Sequence, residues 1–295
     1  MVTIGGAQSN HCRATACAAR LVGLGSHLVV RTGNPDSDLS GAAGAAGNLL
    51  FARAAGAVVH TVSKQDYAAL GSSGLVEAAC EALRTEGERP YAIPVGGSNS
   101  IGTWGYISAA AEFFAQVEAE PELKSARHLV FATGSGGTAA GLAAGMKLAF
   151  GDDCPRMYAV GVCDDPDYFY RFQAGILAEM GLHETAELAE EFLRSNLTII
   201  QGKGRGYAAA SPEELAFASS FARSSGLLLD PVYTNKVLRT FLRSVEEGTV
   251  AVKEGEEVLF WHTGGQLGAY GFEREFRETF EDVRRLDVSG IARAE

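Results

Sequence analysis

Residues 129–150, LVFATGSGGTAAGLAAGMKLAF, run from an apolar strand through a glycine-rich turn directly into an alanine-rich helix. That order decides the fold, because a strand that breaks on glycine into a helix is half of a βαβ unit. It also makes an anion cradle. Gly134, Gly136 and Gly137 let backbone N–H groups converge with no Cβ in the way, the helix dipole favours negative charge, and the Ser135 and Thr138 hydroxyls add donors. The spacing matches neither the P-loop, which needs Gly-Lys-Ser/Thr, nor the G-x-G-x-x-G dinucleotide fingerprint. A plain tight turn is the competing reading of the motif taken alone.

The same plan of strand, turn and helix recurs four times before this stretch. VTIGGAQSNHCRATACAARLVGLG (2–25) is the first; HLVVRTG (27–33) leads through a Gly/Ala-rich loop at 41–47 into NLLFARAAGA (48–57). AVVHTVS (57–63) feeds a helix over about 66–86, and YAIPVGGSNS (91–100) feeds GTWGYISAAAEFFAQVEAE (102–120). Near-continuous apolar strands alternating with helices predict an α/β fold of two open, mostly parallel sheet domains. The acidic stretch VEAEPELKSARH (117–128) interrupts the pattern, so a boundary is expected near residue 115, with a small domain over 1–115 and a larger one over 116–295. Beyond it the sequence predicts strands at MYAVGVC (157–163), LTIIQG (197–202), LLL before DPVYTNK (227–236) and EEVLF (256–260), with a long charged helical region over about 167–195 and a helix at 211–226.

Composition narrows the function. The chain has 295 residues, is 46% hydrophobic and carries a net charge of −11 with no basic run, which argues against nucleic acid or an anionic membrane as partner. Small molecules are the expected ligands. No apolar run is long enough to span a bilayer, and a soluble, intracellular protein is expected. Cys12, Cys17, Cys80, Cys154 and Cys163 show neither disulfide-like nor metal-ligand spacing.

Ser9 and Asn10 follow Gly5 and Gly6 at a helix start. Either they cap the helix, or the glycines bring the backbone close to a ligand carboxylate with Ser9 aimed at it. Tyr233 and Thr234 in LLLDPVYTNK, and Thr263 in LFWHTGG, follow apolar segments where open α/β sheets place ligands. Tyr207 lies in a glycine-rich loop. His11 and Arg13 read as packed or solvated first-turn residues, and His262 as a hydrogen-bonded core histidine.

Together GGAQSNHCRAT, YAIPVGGSNSIGTWGY, ATGSGGTAAGL, GVCDDPDYFY, LLLDPVYTNK and LFWHTGG resemble, in order and over about residues 2–270, the D-cysteine desulfhydrase and aminocyclopropane-carboxylate deaminase family. The resemblance implies the tryptophan-synthase-β-like fold with pyridoxal 5′-phosphate between the domains, and a homodimer. It implies that Gly134, Ser135, Gly136, Gly137 and Thr138 hold the cofactor phosphate and that Asn10 bonds the ring hydroxyl oxygen. Ser9 would face the substrate carboxylate or leaving group, Tyr207 and Tyr233 would flank the substrate, and Thr234 and Thr263 would lie near the pyridine nitrogen. Deaminases of the family have a glutamate and a leucine where this chain has Thr234 and Thr263. The resemblance therefore points to elimination on D-cysteine, giving pyruvate, ammonia and hydrogen sulfide.

One departure stands out. The family's Schiff-base lysine lies in a GNK-x-RK segment upstream of the first strand, and Lys64, Lys124, Lys147, Lys203, Lys236 and Lys253 all lack that context. The expectation is that part of the large domain precedes Met1 and that these 295 residues alone do not turn over substrate.

Overall fold

The computed structural model of the chain describes residues 1–33, 46–280 and 286. The loop expected over 41–47 lies outside the described residues except for its last two. Three parallel strands, β1 (Val2–Gly6), β2 (His27–Thr32) and β3 (Val58–Ser63), stand side by side in that order, with Ile4 opposite Val29 and Val29 opposite His60. Beside β1 the segment 91–93 extends this sheet: Val2 N donates to Tyr91 O and Ile93 N donates to Val2 O. Helices α1 (Asn10–Leu21), α2 (Gly47–Ala54) and α3 (Lys64–Thr85) cover it. Because strand side chains alternate, Leu28 and Val30 pack with Cys12, Ala16, Leu49 and Ala52 on the α1/α2 face, while Val29 joins Val2 and Ile4 against Leu75, Val76 and Cys80 of α3.

The next elements form a second unit. Helix α4 (Ser100–Ala119) leads into β4 (Ala126–Thr133), followed by α5 (Gly137–Phe150), β5 (Arg156–Gly161), α6 (Pro166–Glu179), α7 (Ala186–Asn196) and β6 (Leu197–Gln201). Then come α8 (Pro212–Ser225), α9 (Thr234–Glu246) and β7 (Glu257–Phe260). The strands run parallel in the order β6-β5-β4-β7. One face buries Leu129 and Phe131 with Ala110, Phe113, Leu142, Met146 and Phe169; the other buries Val130, Ala132 and Val160 against Val237 and Phe241 of α9. Both faces are covered, as the apolar strands require.

Helix α4 shares its core with the second sheet through Ala110 and Phe113, which precede the boundary expected near residue 115. The cause is a glycine face on α5. A Cβ on Gly141 would lie 2.5 Å from Tyr106 Cβ, and one on Gly145 would lie 2.7 Å from Ala110 Cβ, so α4 approaches α5 almost backbone to backbone. Two expectations are corrected. The apolar run 227–229 forms no strand, although Leu229 is fully buried, because Asp230 and Pro231 lead into the turn that precedes α9 at Thr234. The helical region over 167–195 is two helices, parted after Glu179 at Gly181, whose φ of +73° leaves the right-handed helical range.

Gly145→Val should therefore cost about 3 kcal/mol, since the added atoms have no room between α4 and α5. Gly175→Ala on α6, where a Cβ meets nothing within 4 Å, should stabilise by about 0.5 kcal/mol. Urea denaturation of both variants checks the pair, and equal small effects would show that α4 is not tightly seated.

Candidate active site

The C-terminal ends of the two sheets meet across a cleft, where open parallel sheets carry ligands. After β4 the chain turns through Gly134–Gly136 into α5. Gly136, the N-cap, has φ +99° and offers no side-chain acceptor, so the first N–H groups of the helix must find partners elsewhere. Gly137 N donates to Ser98 Oγ at 3.0 Å, and Ser98 Oγ donates to Ser135 Oγ at 2.7 Å. Side chains would fill this space: a Cβ would come within 2.8 Å of Phe172 Cδ1 at Gly136, 2.8 Å of Ser98 Oγ at Gly137 and 1.9 Å of Ser135 Oγ at Gly96. A concave, Cβ-free turn at a helix N-terminus with hydroxyls at Ser98, Ser135 and Thr138 fits a phosphate group.

Opposite it, Ser9 caps α1, its Oγ accepting from Cys12 N at 3.1 Å, which leaves its own proton free of that bond. The capping reading of Ser9 is thus realised. Asn10 Oδ1 accepts from Asn48 Nδ2 at 2.9 Å. His11 is packed, its Nε2 2.8 Å from Thr3 Oγ1 and its Cε1 3.2 Å from where a Cβ on Gly97 would stand. Burial lowers its pKa to about 4, so the ring is neutral at pH 7.

Tyr207 and Tyr233 share a hydrogen bond of 2.8 Å between their hydroxyls, with rings edge to face at 6.0 Å. A Cβ on Gly134 would lie 2.9 Å from Tyr233 Cε1, and one on Gly6 4.0 Å from Tyr207 Cε1, so the pair spans the glycine turn and the end of β1. Burial raises both phenols, Tyr233 well above its ordinary value. Two hydroxyls joined by one bond leave one proton to donate, and neither can serve as a base near neutrality. Ala208, beside them, has φ +57° and is the one non-glycine residue with positive φ among the described residues.

Lys236 explains how Tyr207 is held. It is 1% exposed, and its Nζ donates to Lys203 O at 2.9 Å and Gly206 O at 3.4 Å, beside Glu214 Oε1 at 3.5 Å. The amine is therefore an internal fastener for the 203–206 loop. Of the six lysines, Lys64 alone lines the cavity of about 550 Å³ that opens beside Gly6, Gln8, Arg31, Asn48 and Tyr207. A second cavity, of about 260 Å³ near Phe113 and Phe150, shares no residue with the cleft.

Asp230 was missed by the sequence reading. Buried at 1% exposure, its Oδ1 accepts from Val232 N at 3.0 Å and Tyr233 N at 2.8 Å, and its Oδ2 from Thr234 N at 2.9 Å and Thr234 Oγ1 at 2.7 Å. Burial pushes its pKa up while these bonds oppose the shift. Thr234 Oγ1 also accepts from Asp230 N, while its own proton is committed to Asp230 Oδ2. Gly265 closes on this knot: a Cβ there would lie 2.6 Å from Asp230 Oδ2 and 3.4 Å from Asn10 Nδ2. Thr263, by contrast, is exposed on the loop after β7. His262 is exposed too, not a core residue; its Nδ1 accepts from Gly264 N at 3.3 Å. Ser98 lies in the run Gly96-Gly97-Ser98-Asn99, which is visible in the sequence, whereas Asn48 and Lys236 carried no local signal.

His11 gives a pH test. An unfolded histidine titrates near ~6.5, so between there and about 4 the unfolded chain binds a proton that the folded chain refuses. Stability should be complete above about pH 6.5 and fall by about 3 kcal/mol as the pH drops toward 4. Urea denaturation across this range should show a steeper loss for the wild type than for His11→Gln; equal slopes would mean that the ring protonates in place.

The sequence profile of the family described as "Pyridoxal-phosphate dependent enzyme" matches residues 1–264. The chain is 44% identical over 289 residues to the mitochondrial bifunctional D-cysteine desulfhydrase/1-aminocyclopropane-1-carboxylate deaminase of Arabidopsis thaliana, covering 98% of this chain and 69% of that protein. It is 29% identical over 273 residues to the D-cysteine desulfhydrase of Klebsiella pneumoniae, covering 92% and 78%. A crystal structure of an ACC deaminase homologue aligns with a TM-score of 0.72 at 26% identity, over 95% of this chain and 78% of that one. A phosphate-shaped glycine turn, a two-sheet α/β fold and these relatives agree: the chain belongs to the pyridoxal-phosphate dependent enzymes of the desulfhydrase and deaminase type.

Proposed function

We propose that the elimination chemistry of this site is directed at D-cysteine, with release of sulfide, and not at a cyclopropane substrate. The observation that carries this reading is the state of Asp230 and Thr234. All four acceptor positions of the Asp230 carboxylate are taken, and the Thr234 proton is given to it, so a ring nitrogen lying beside Thr234 meets no available acid. When bound, pyridoxal phosphate supplies an electron sink for the bond broken at Cα, and without a protonated nitrogen that sink is weaker. Loss of a thiolate, a good leaving group, demands less of it than opening a ring.

In this reading the 134–138 turn with Ser98 holds the phosphate, and the Asn10 amide donates to the ring hydroxyl oxygen. Ser9 directs its free proton to the substrate carboxylate or sulfur. The Tyr207–Tyr233 pair, with one proton to give, lies against the substrate on its other side and assists the leaving group. The experiment is a comparison of kcat/KM for sulfide release from D-cysteine with that for deamination of aminocyclopropane carboxylate, in a chimera carrying the lysine segment of the Arabidopsis relative. D-Cysteine should be favoured by at least about tenfold, and Thr234→Glu with Thr263→Leu should narrow the gap. Dominant deaminase activity in the unmodified chimera would end the reading.

A second reading, binding of pyridoxal phosphate without turnover by the present 295 residues, is favoured by the state of Lys236. Lys236 is fastened inside, while Lys124 and Lys147 sit in surface ion pairs with Glu118 and Asp152. Borohydride reduction after incubation with pyridoxal phosphate should leave Lys236 unlabelled in peptide mapping. A reduced adduct on Lys236, or steady sulfide release by the chain itself, would overturn this second reading.

A further inference from the structure

The side-chain amide of Asn48, at the second residue of α2, is 2% exposed and gripped by two partners whose chemistry cannot be reversed. Arg13 Nε, which can only donate, bonds Asn48 Oδ1 at 2.9 Å. The Gln8 carbonyl, which can only accept, bonds Asn48 Nδ2 at 3.0 Å. The orientation of the amide thus follows from its neighbours alone. The same Nδ2 donates to Asn10 Oδ1 at 2.9 Å, so Asn10 must turn its carbonyl to Asn48 and its NH₂ away. That NH₂ lies toward Gly265, where a Cβ would be 3.4 Å from it, on the far wall of the cleft.

We propose that Asn48, backed by Arg13, is a positioning residue that fixes Asn10 as a donor toward the cleft, and so selects a ligand bearing an acceptor oxygen there. The proposal rests on the reading of Asn10 as the partner of the cofactor's ring hydroxyl oxygen and adds what makes it a donor. Neither Asn10 nor its neighbours on α1 could do this alone, because a free asparagine presents either end. With the chain Arg13–Asn48–Asn10 set, a negatively charged ring oxygen meets an N–H, and charge-assisted bonds of this kind are the stronger ones.

Asn48→Asp tests the direction. Aspartate keeps an acceptor for Arg13 but puts a second acceptor against Asn10, whose amide turns to donate to it and shows its carbonyl to the cleft. Asn48→Ala removes the grip and leaves Asn10 free to choose. The probe is pyridoxine 5′-phosphate, which keeps the phosphate and ring hydroxyl but has no aldehyde to react with surface lysines. Fluorescence titration of the 295-residue chain should show affinity weakened by about tenfold or more in N48D and by about threefold in N48A. With 3-deoxypyridoxine 5′-phosphate, which lacks the ring hydroxyl, both variants should bind like the wild type.

Loss that is larger in N48A than in N48D, or equal for the two ligands, would mean that Asn48 only packs the helix, and the proposal falls. If N48D does not fold, as its melting temperature will tell, the selective loss in N48A carries the test by itself, and a non-selective one overturns it. Asn10→Ala separates the two levels. Normal binding of both ligands by N10A, or no binding by the wild type, removes the reading of Asn10 and this proposal with it; selective weakening in N10A with N48D unaffected removes only the proposal.

Discussion

The site exists because two backbones come closer than side chains would permit. Ser98, on the connection between the two sheets, lies within hydrogen-bond distance of both Gly137 N and Ser135 Oγ; a Cβ at 137 would displace Ser98, and one at 96 would displace Ser135. The glycine face of α5 does the same one layer deeper by admitting α4. The first contact ties the connection between the sheets to the turn after β4 and the second seats α4 on α5, so this side of the cleft is shaped by the missing Cβ atoms as much as by any polar group.

The polar groups are then arranged so that few remain uncommitted. Asp230, Lys236 and Asn48 are all buried, all multiply bonded, and none faces the cleft as a reactive group. Each holds a residue that the proposed function puts to use: Asp230 the start of α9 with Tyr233, Lys236 the loop before Tyr207, Asn48 the amide of Asn10. Buried polar residues of this kind are costly unless satisfied, which ties the local fold to one arrangement.

What the sequence disclosed follows from range. The glycine turn at 134–137, the helix starts at Ser9 and Ser211 and the alternation of strands with helices are local, and local chemistry specifies them. Asn48 and Lys236 act on residues more than thirty positions away, at Asn10 and Lys203, and nothing in their immediate surroundings marks them. The seating of α4 on the second sheet has the same origin. Helix α4 follows its strand in sequence, but the glycines that receive it lie on α5, some forty residues later than its own packing positions begin to show. Thr234 is instructive in another way: its position was readable, yet the direction of its proton depended on Asp230, four residues earlier, whose burial the sequence did not reveal.

The C-terminal end of the described chain returns to the first sheet. Leu267 O sits where a Cβ on Gly47 would be only 2.8 Å away, so α2 rests against the turn that follows β7. The chain crosses between the two units through the 94–99 connection, and here it touches back without a covalent link. Such a cleft behaves like a clasp fastened at both ends. Gly47 begins the helix that carries Asn48, so any loosening of the return contact is felt first at the base of the Arg13–Asn48–Asn10 chain, on the opposite side of the cleft from the glycine turn after β4.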